Sequence, residues 1–265
     1  MNLFITGAAK GIGAATARLF VEKGWFVGLG DVDEAGLMQM EEELGKEHVC
    51  SCVMDVTDVE SVKLAFEKFT SHTGGKIDAL LNNAGILHAG PFDEISLAQH
   101  RRLIDINFFG VVNCAHQALP YLEKSDRPLL INMASASSLY GIPNLAIYSS
   151  SKFAVRGLTE AWDIELARKG IQVMDVVPKY VQSDMTAGET GKKMNLDREK
   201  MLLNPEQVAQ QIWKAIHQKK LHWYIGFEIK LFALILGLIP PKLKRIITQQ
   251  AIHYAPSYNL LGDQR

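Results

Sequence analysis

Short, apolar, β-rich runs alternate with amphipathic helical stretches from residue 2 to beyond residue 220, and this alternation constrains the fold most. Strands are expected near Leu3–Ile5, Phe26–Gly30, Cys50–Met54, Ala79–Leu81, Leu129–Met133, Val173–Val177 and His222–Ile225. Helical patterns fill Gly13–Lys23, Ala35–Leu44, Val59–Thr70, Leu97–Leu122 and Ile147–Lys169. Strands and helices of these lengths in alternation build βαβ units, and hence a parallel sheet covered on both faces. No Pro/Ser-rich linker divides the series, so one α/β domain with a doubly wound parallel sheet is expected. Two regions break the rhythm. Ser183–Asn204 is polar and too long for an ordinary connection, as functional lids are. Lys219–Arg265 forms an apolar and basic extension to a core spanning residues 1–218.

Composition narrows the function classes. The chain has 265 residues, 48% of them hydrophobic, and a net charge of −1, which gives no overall electrostatic reason to bind nucleic acid. Three cysteines exclude a disulfide scaffold. Cys50 and Cys52 would share one face of a strand and read as core packing, because CxC alone is poor metal spacing. The eight histidines share no helical spacing that suggests a metal site. The first residues run directly into an apolar segment with no basic head or cleavage motif, and no run is long enough to span a bilayer. A soluble, cytoplasmic chain is expected.

Two motifs carry chemistry on their own residues. Thr6-Gly7-Ala8-Ala9-Lys10-Gly11-Ile12-Gly13 lies between the first strand and the first helix. Glycines there allow a tight turn and close approach to a pyrophosphate, while the helix N-terminus presents free N–H groups. Asp31 follows at the end of the second strand, where a carboxylate can accept both ribose hydroxyls of NAD and repel the 2′-phosphate of NADP. Lys10 pulls toward NADP; Asp31 is weighted more heavily because it meets the ribose directly. Asp33 is better placed than Asp31 as a helix N-cap. The second motif is Tyr148-Ser149-Ser150-Ser151-Lys152, whose phenol and ammonium share one helix face. A nearby cation favours phenolate, tuning Tyr148 for proton exchange with an alcohol or ketone. A solvent-facing Tyr–Lys pair is the bland alternative. Ser135 ends an apolar strand in a hydroxyl, although Ser137 and Ser138 compete with it and all three could be turn formers.

Thr6–Gly13 (TGxxxGIG), Asn82-Asn83-Ala84-Gly85 (NNAG) and Tyr148–Lys152 (YxxxK), in this order, resemble the short-chain dehydrogenase/reductase family over about residues 2–218. The resemblance implies a Rossmann-type sheet of seven parallel strands and a nicotinamide cofactor. It makes Tyr148 the general acid/base, Lys152 the ribose-binding cation that lowers its pKa, and Ser135 the substrate-orienting serine. Asn107 matches the helix asparagine that holds a relay water, a helix-packing polar group being the alternative. Asp55 and Val56 match the pair beside the adenine, and Asn83, Ala84 and Gly85 the segment lining the cofactor cleft. Val181 and Ser183 match the positions facing the nicotinamide carboxamide. Lys179 departs from the family's glycine, which puts the local backbone path in doubt. Homodimers or homotetramers are implied.

The tail bears on substrate and partners. From Lys219 onward there are seven Lys/Arg against two Asp/Glu, around an apolar run at Leu231–Ile239. It reads as a cap over the substrate cleft, a subunit interface or an interfacial segment on anionic lipid. Any of these suits a lipophilic alcohol or ketone. A competing reading, a non-catalytic dinucleotide-binding redox sensor or membrane-surface scaffold, has no chemical need for Ser135, Tyr148 and Lys152 together. A nucleotide-sugar epimerase would need a larger C-terminal domain.

Overall fold

The computed structural model describes residues 1–182, 203–236, 239–240 and 243–244. Seven strands form one parallel sheet in the order β3-β2-β1-β4-β5-β6-β7. They are β1 (Asn2–Thr6), β2 (Phe26–Asp31), β3 (Val49–Val53), β4 (Ala79–Asn82), β5 (Leu129–Met133), β6 (Gln172–Val177) and β7 (His222–Tyr224). Each predicted strand is present, within a residue or so at either end. The seventh, drawn from the extension, pairs Asp175 with His222 and so completes the sheet.

Among the described residues the α-helices are α1 (Gly11–Glu22), α2 (Glu34–Leu44), α3 (Val59–His72), α4 (Leu97–Ile104), α5 (Gly110–Leu122), α6 (Ala146–Ala167), α7 (Pro205–Ala215) and α8 (Phe227–Leu236). The stretch predicted as one helix over Leu97–Leu122 is interrupted at Asp105–Phe109 by a π-helical turn. A single π turn within a helix is a rare local feature for which sequence periodicity carries no specific signal. α7 was not among the predicted helices. Its start is nonetheless written locally, in an Asn204/Gln207 capping box with Pro205 in the first turn.

β1 is buried along its whole length, because both faces of the sheet are covered. Leu3 and Ile5 join Phe20, Leu29 and Ile212 on the face of α1, α2 and α7, whereas Phe4 meets Phe66 and Phe69 on the opposite face. The Phe4 ring stands edge-on to Phe66 at 4.8 Å and to Phe69 at 5.2 Å. Gly28 of β2 makes room for this cluster, since a Cβ there would lie 2.4 Å from Phe4. Cys50 and Cys52 are buried on one face of β3, with their sulfurs 3.8 Å apart.

Strand order reverses between β1 and β4, so the loops at their C-terminal ends diverge and open a crevice. A buried polar chain fixes α6 over this region. Asn82 Nδ2 donates to Asn132 Oδ1 at 2.9 Å, and Asn132 Nδ2 donates to Thr159 Oγ1 of α6 at 3.0 Å.

Candidate active site

The crevice at the β1/β4 switch point is a cleft of about 600 Å3. Gly7, Lys10, Gly11, Ile12, Asp31, Asn83, Gly85, Ser135, Tyr148, Lys152 and Val181 all line it. One end is the turn between β1 and α1. Gly7 has a left-handed φ of +69°, and a Cβ there would come within 2.9 Å of the Ala84 Cα. At Gly13 a Cβ would lie 2.0 Å from the Gly7 carbonyl oxygen, so only glycine permits the turn. The first turn of α1 carries no acidic residue and no side-chain cap, leaving N–H groups and a partial positive charge for an anion. The Thr6 hydroxyl accepts the backbone N–H groups of Asn83 and Ala84, both at 3.0 Å. Asn83 Nδ2 in turn donates to the Thr6 and Gly7 carbonyls at 3.0 Å. Thr6, Gly13 and Ala84 therefore shape the turn from behind, outside the cleft lining.

Asp31 sits at the tip of β2. Its Oδ2 accepts the Ala9 N–H at 2.9 Å and its Oδ1 the Asp33 N–H at 3.1 Å. Each oxygen keeps acceptor capacity for a further donor. Asp33 caps α2 by accepting the Gly36 N–H at 3.0 Å. Lys10 Nζ lies 2.8 Å from Asp33 Oδ2, and this hydrogen bond holds the Asp33 carboxyl below its usual value. The Lys10 cation is thus directed at a carboxylate.

Asp55 and Val56 are not among the residues lining the cleft. Asp55 Oδ1 accepts from the Thr57 N–H and hydroxyl, and its Oδ2 pairs with Arg102 at 3.1 Å. Burial alone would raise the Asp55 carboxyl, but these three donors hold it below its ordinary value. Val56 packs against Gly110, where a Cβ would meet its Cγ2 at 2.6 Å.

The other end of the cleft is built by β5 and α6. Past Met133 the chain turns through a short 3-10 segment, Ala136–Ser138, capped by Ser135 Oγ accepting the Ser137 N–H. Ser137 and Ser138 are buried, and it is Ser135 that shares a hydrogen bond with Tyr148. Spacing left the three serines open; this contact separates them. Lys152 is buried, with its Nζ donating to the Met133 carbonyl at 2.8 Å and lying 5.7 Å from the Tyr148 ring centre. Burial pushes the ammonium down to about 8. Burial also pushes the Tyr148 phenol above its ordinary value, and the Ser135 hydrogen bond draws it partly back. Spacing suggests a phenol lowered by Lys152; in the protein alone, burial sets the direction of the shift, and the Lys152 ammonium faces the Met133 carbonyl.

Asn107 lies inside the π turn and is fully buried. Its Oδ1 accepts the Ile86 N–H at 2.8 Å, while Nδ2 donates to the Ile86 carbonyl at 2.9 Å and to Ser151 Oγ at 3.3 Å. The side chain thus pins Ile86, a cleft residue, to α6. Val181 pairs with Leu203 in an isolated bridge, and Ser183 lies outside the described residues. Lys179 lines the cleft, and where the family has glycine its ammonium lies 3.8 Å from the exposed Glu228 of α8. Sequence reasoning missed the apolar wall of Ile86, Leu87, Leu145 and Tyr180. Burial, reinforced by Tyr140 and Tyr148, pushes the Tyr180 phenol up to about 12. These residues sit on connections without periodicity, and no local signal singles them out.

Comparison with known proteins agrees with this geometry. The model of the short chain dehydrogenase family matches residues 2–193. The chain is 34% identical over 216 residues to 3-oxoacyl-[acyl-carrier-protein] reductase FabG of Thermotoga maritima, covering 78% of this chain and 87% of that one. The structure of 3-ketoacyl-(acyl-carrier-protein) reductase from Brucella melitensis complexed with NADH superimposes with a TM-score of 0.77. That match has 27% identity and covers 84% of this chain and 96% of the other. ElxO with NADP bound gives a TM-score of 0.73 at 25% identity, over 84% and 96% of the two chains. The chain belongs to the short-chain dehydrogenase/reductase family, oxidoreductases of alcohols and ketones that use nicotinamide cofactors.

Proposed function

We propose that this chain transfers hydride between NAD(H) and the carbinol or carbonyl carbon of a lipophilic alcohol or ketone. The observation that carries the reading is the convergence of Ser135, Tyr148 and Lys152 at one end of a cleft whose other end is a glycine turn. A dinucleotide fits these residues, because the Gly7–Gly13 approach leaves no room for a side chain and the first turn of α1 offers uncapped N–H groups. Gly7, Gly11 and Ile12 would hold the pyrophosphate, with Gly13 shaping the turn behind them, and Asp31 the adenosine ribose. Asn83 and Gly85 would line the cofactor cleft, with Ala84 behind them, and Val181 would face the nicotinamide carboxamide. When bound, the cofactor supplies or accepts the hydride.

The protein moves the proton. In oxidation, Tyr148 Oη takes the substrate hydroxyl proton while Ser135 Oγ holds the same oxygen by a hydrogen bond; reduction reverses the transfer. A phenol raised by burial stays protonated in the protein alone, so Tyr148 carries the proton that a carbonyl-derived oxygen takes in reduction. Lys152, held by the Met133 carbonyl, places a cation beside the phenol and is assigned to the nicotinamide ribose. NAD is favoured over NADP because Asp31 retains acceptor capacity while Lys10 is paired with Asp33. The lipophilic substrate is supported by Ile86, Leu87 and Leu145 in the cleft wall and by Tyr140 against Phe232 of α8, ring centres 4.9 Å apart. Cytoplasmic location and a homodimeric or homotetrameric state complete the reading.

The test is Tyr148→Phe, assayed with a panel of secondary alcohols and ketones and with both cofactors. Turnover is expected to be abolished while NADH binding, read by fluorescence titration, survives. Retained turnover would defeat the assignment of Tyr148.

A further inference from the structure

The helix α8 has two unlike faces. On one, Leu236 is buried and Phe232 stands edge-on to Tyr140, seating the helix on the loop after β5. The other exposes Phe227 (77%), Leu231 (44%), Leu234 (75%) and Ile235 (40%). These positions recur at i, i+4, i+7 and i+8, and so fall within an arc of roughly 100° on a helix turning 3.6 residues per turn. They form a continuous apolar stripe, unlike the single exposed apolar residues found on any surface. Lys230 is exposed beside the stripe, and Glu228 on its other flank is engaged by Lys179. Seven Lys/Arg against two Asp/Glu from residue 219 onward make this the cationic end of a chain that is otherwise acidic.

An apolar stripe with Lys230 on one flank, in the cationic part of the chain, matches the chemistry of an anionic bilayer surface. The stripe inserts at the headgroup boundary, and the cations meet phosphate. No helix among the described residues is long and apolar enough to cross a membrane, so the contact would be peripheral. We propose that the outer face of α8 docks on anionic lipid, with Phe227, Leu231, Leu234 and Ile235 as the inserting residues. Because the inner face packs on Tyr140, which neighbours Tyr180 of the cleft wall, docking sets the apolar end of the cleft beside the bilayer. The proposal does not depend on the assigned reaction, and its test needs no turnover.

The experiment is flotation of the full-length chain with vesicles of phosphatidylcholine alone and of phosphatidylcholine mixed with phosphatidylglycerol, at low and high salt. Binding is expected to the anionic vesicles at low salt, and to weaken with salt or on neutral vesicles. The double substitution Leu231→Gln and Leu234→Gln removes solvent-exposed methyl groups and should reduce partitioning by roughly tenfold or more. Circular dichroism of that variant verifies that the fold is kept. No flotation on anionic vesicles at low salt would overturn the proposal, as would flotation unchanged by the double substitution. Light scattering adds a separate refutation. If the parent is an oligomer that does not float and the variant is a monomer, the stripe is an interface between copies.

Discussion

Lys152 places a positive charge inside the protein, and its thermodynamic cost is measurable. An ammonium that titrates near 10.5 in the unfolded chain is brought to about 8 by burial in the fold. Below pH 8 both states carry the proton, so the native state bears the full cost of an interior cation. Between about 8 and 10.5 the folded protein releases this proton while the unfolded chain still holds it. The unfolded state then binds more protons, and stability rises with pH. Each unit of pKa difference is worth about 1.36 kcal/mol, so the contribution grows by about 2 kcal/mol between roughly pH 7 and 9.5. Other groups titrate in the same interval, and the substitution Lys152→Met serves as the subtraction. It fills similar volume and carries no proton, although it leaves the Met133 carbonyl without its donor. Urea unfolding of parent and variant, in parallel at several pH values, gives the difference directly. The expectation is that the parent gains about 2 kcal/mol relative to Lys152→Met across this window, whatever the offset between them at neutral pH. Parallel pH dependences would refute the argument, because they would mean that Lys152 titrates alike folded and unfolded.

Two other residues give separable outcomes. Asp31→Ala removes a carboxylate with room for two further donors; it is expected to shift the ratio of NADPH to NADH dissociation constants by roughly 30-fold or more toward NADPH, on the scale of about 2 kcal/mol for charged hydrogen bonds. Fluorescence titration with each cofactor reads the ratio, and an unchanged ratio would move attention to Lys10. Asn107→Ala leaves the Ile86 N–H and carbonyl without their partners and should lower stability by about 2–4 kcal/mol in urea unfolding. A loss below about 0.5 kcal/mol would mean that water replaces the side chain without penalty.

What could be read from the sequence and what could not divide along the range of the interaction concerned. The strands were legible because burial on both faces turns a parallel strand into a continuous apolar run, as in β1 and β5. Asp33 as the cap of α2 was legible because a cap acts within three residues. The Lys179–Glu228 pair joins residues 49 apart in sequence, and the Arg102 partner of Asp55 lies 47 residues away. Neither leaves a mark in local spacing. Asn107 combines both kinds of signal: its position on a helix was readable, but the π turn and its bonds to Ile86 exist only after β4 and α6 converge.

The same distinction explains the Tyr148–Lys152 pair. Helical spacing places the two side chains on one face, a local fact. The direction of a pKa shift depends on whether the surroundings or the neighbour dominates, and the surroundings are supplied by β5 and the loop after it. Once Lys152 is buried against the Met133 carbonyl, its charge is itself disfavoured and its hold on the phenol is weaker than spacing suggests. Each of the two titrations is set first by its own burial, so the inward position that β5 and its loop impose on α6 decides both directions of shift, and the four-residue spacing decides neither.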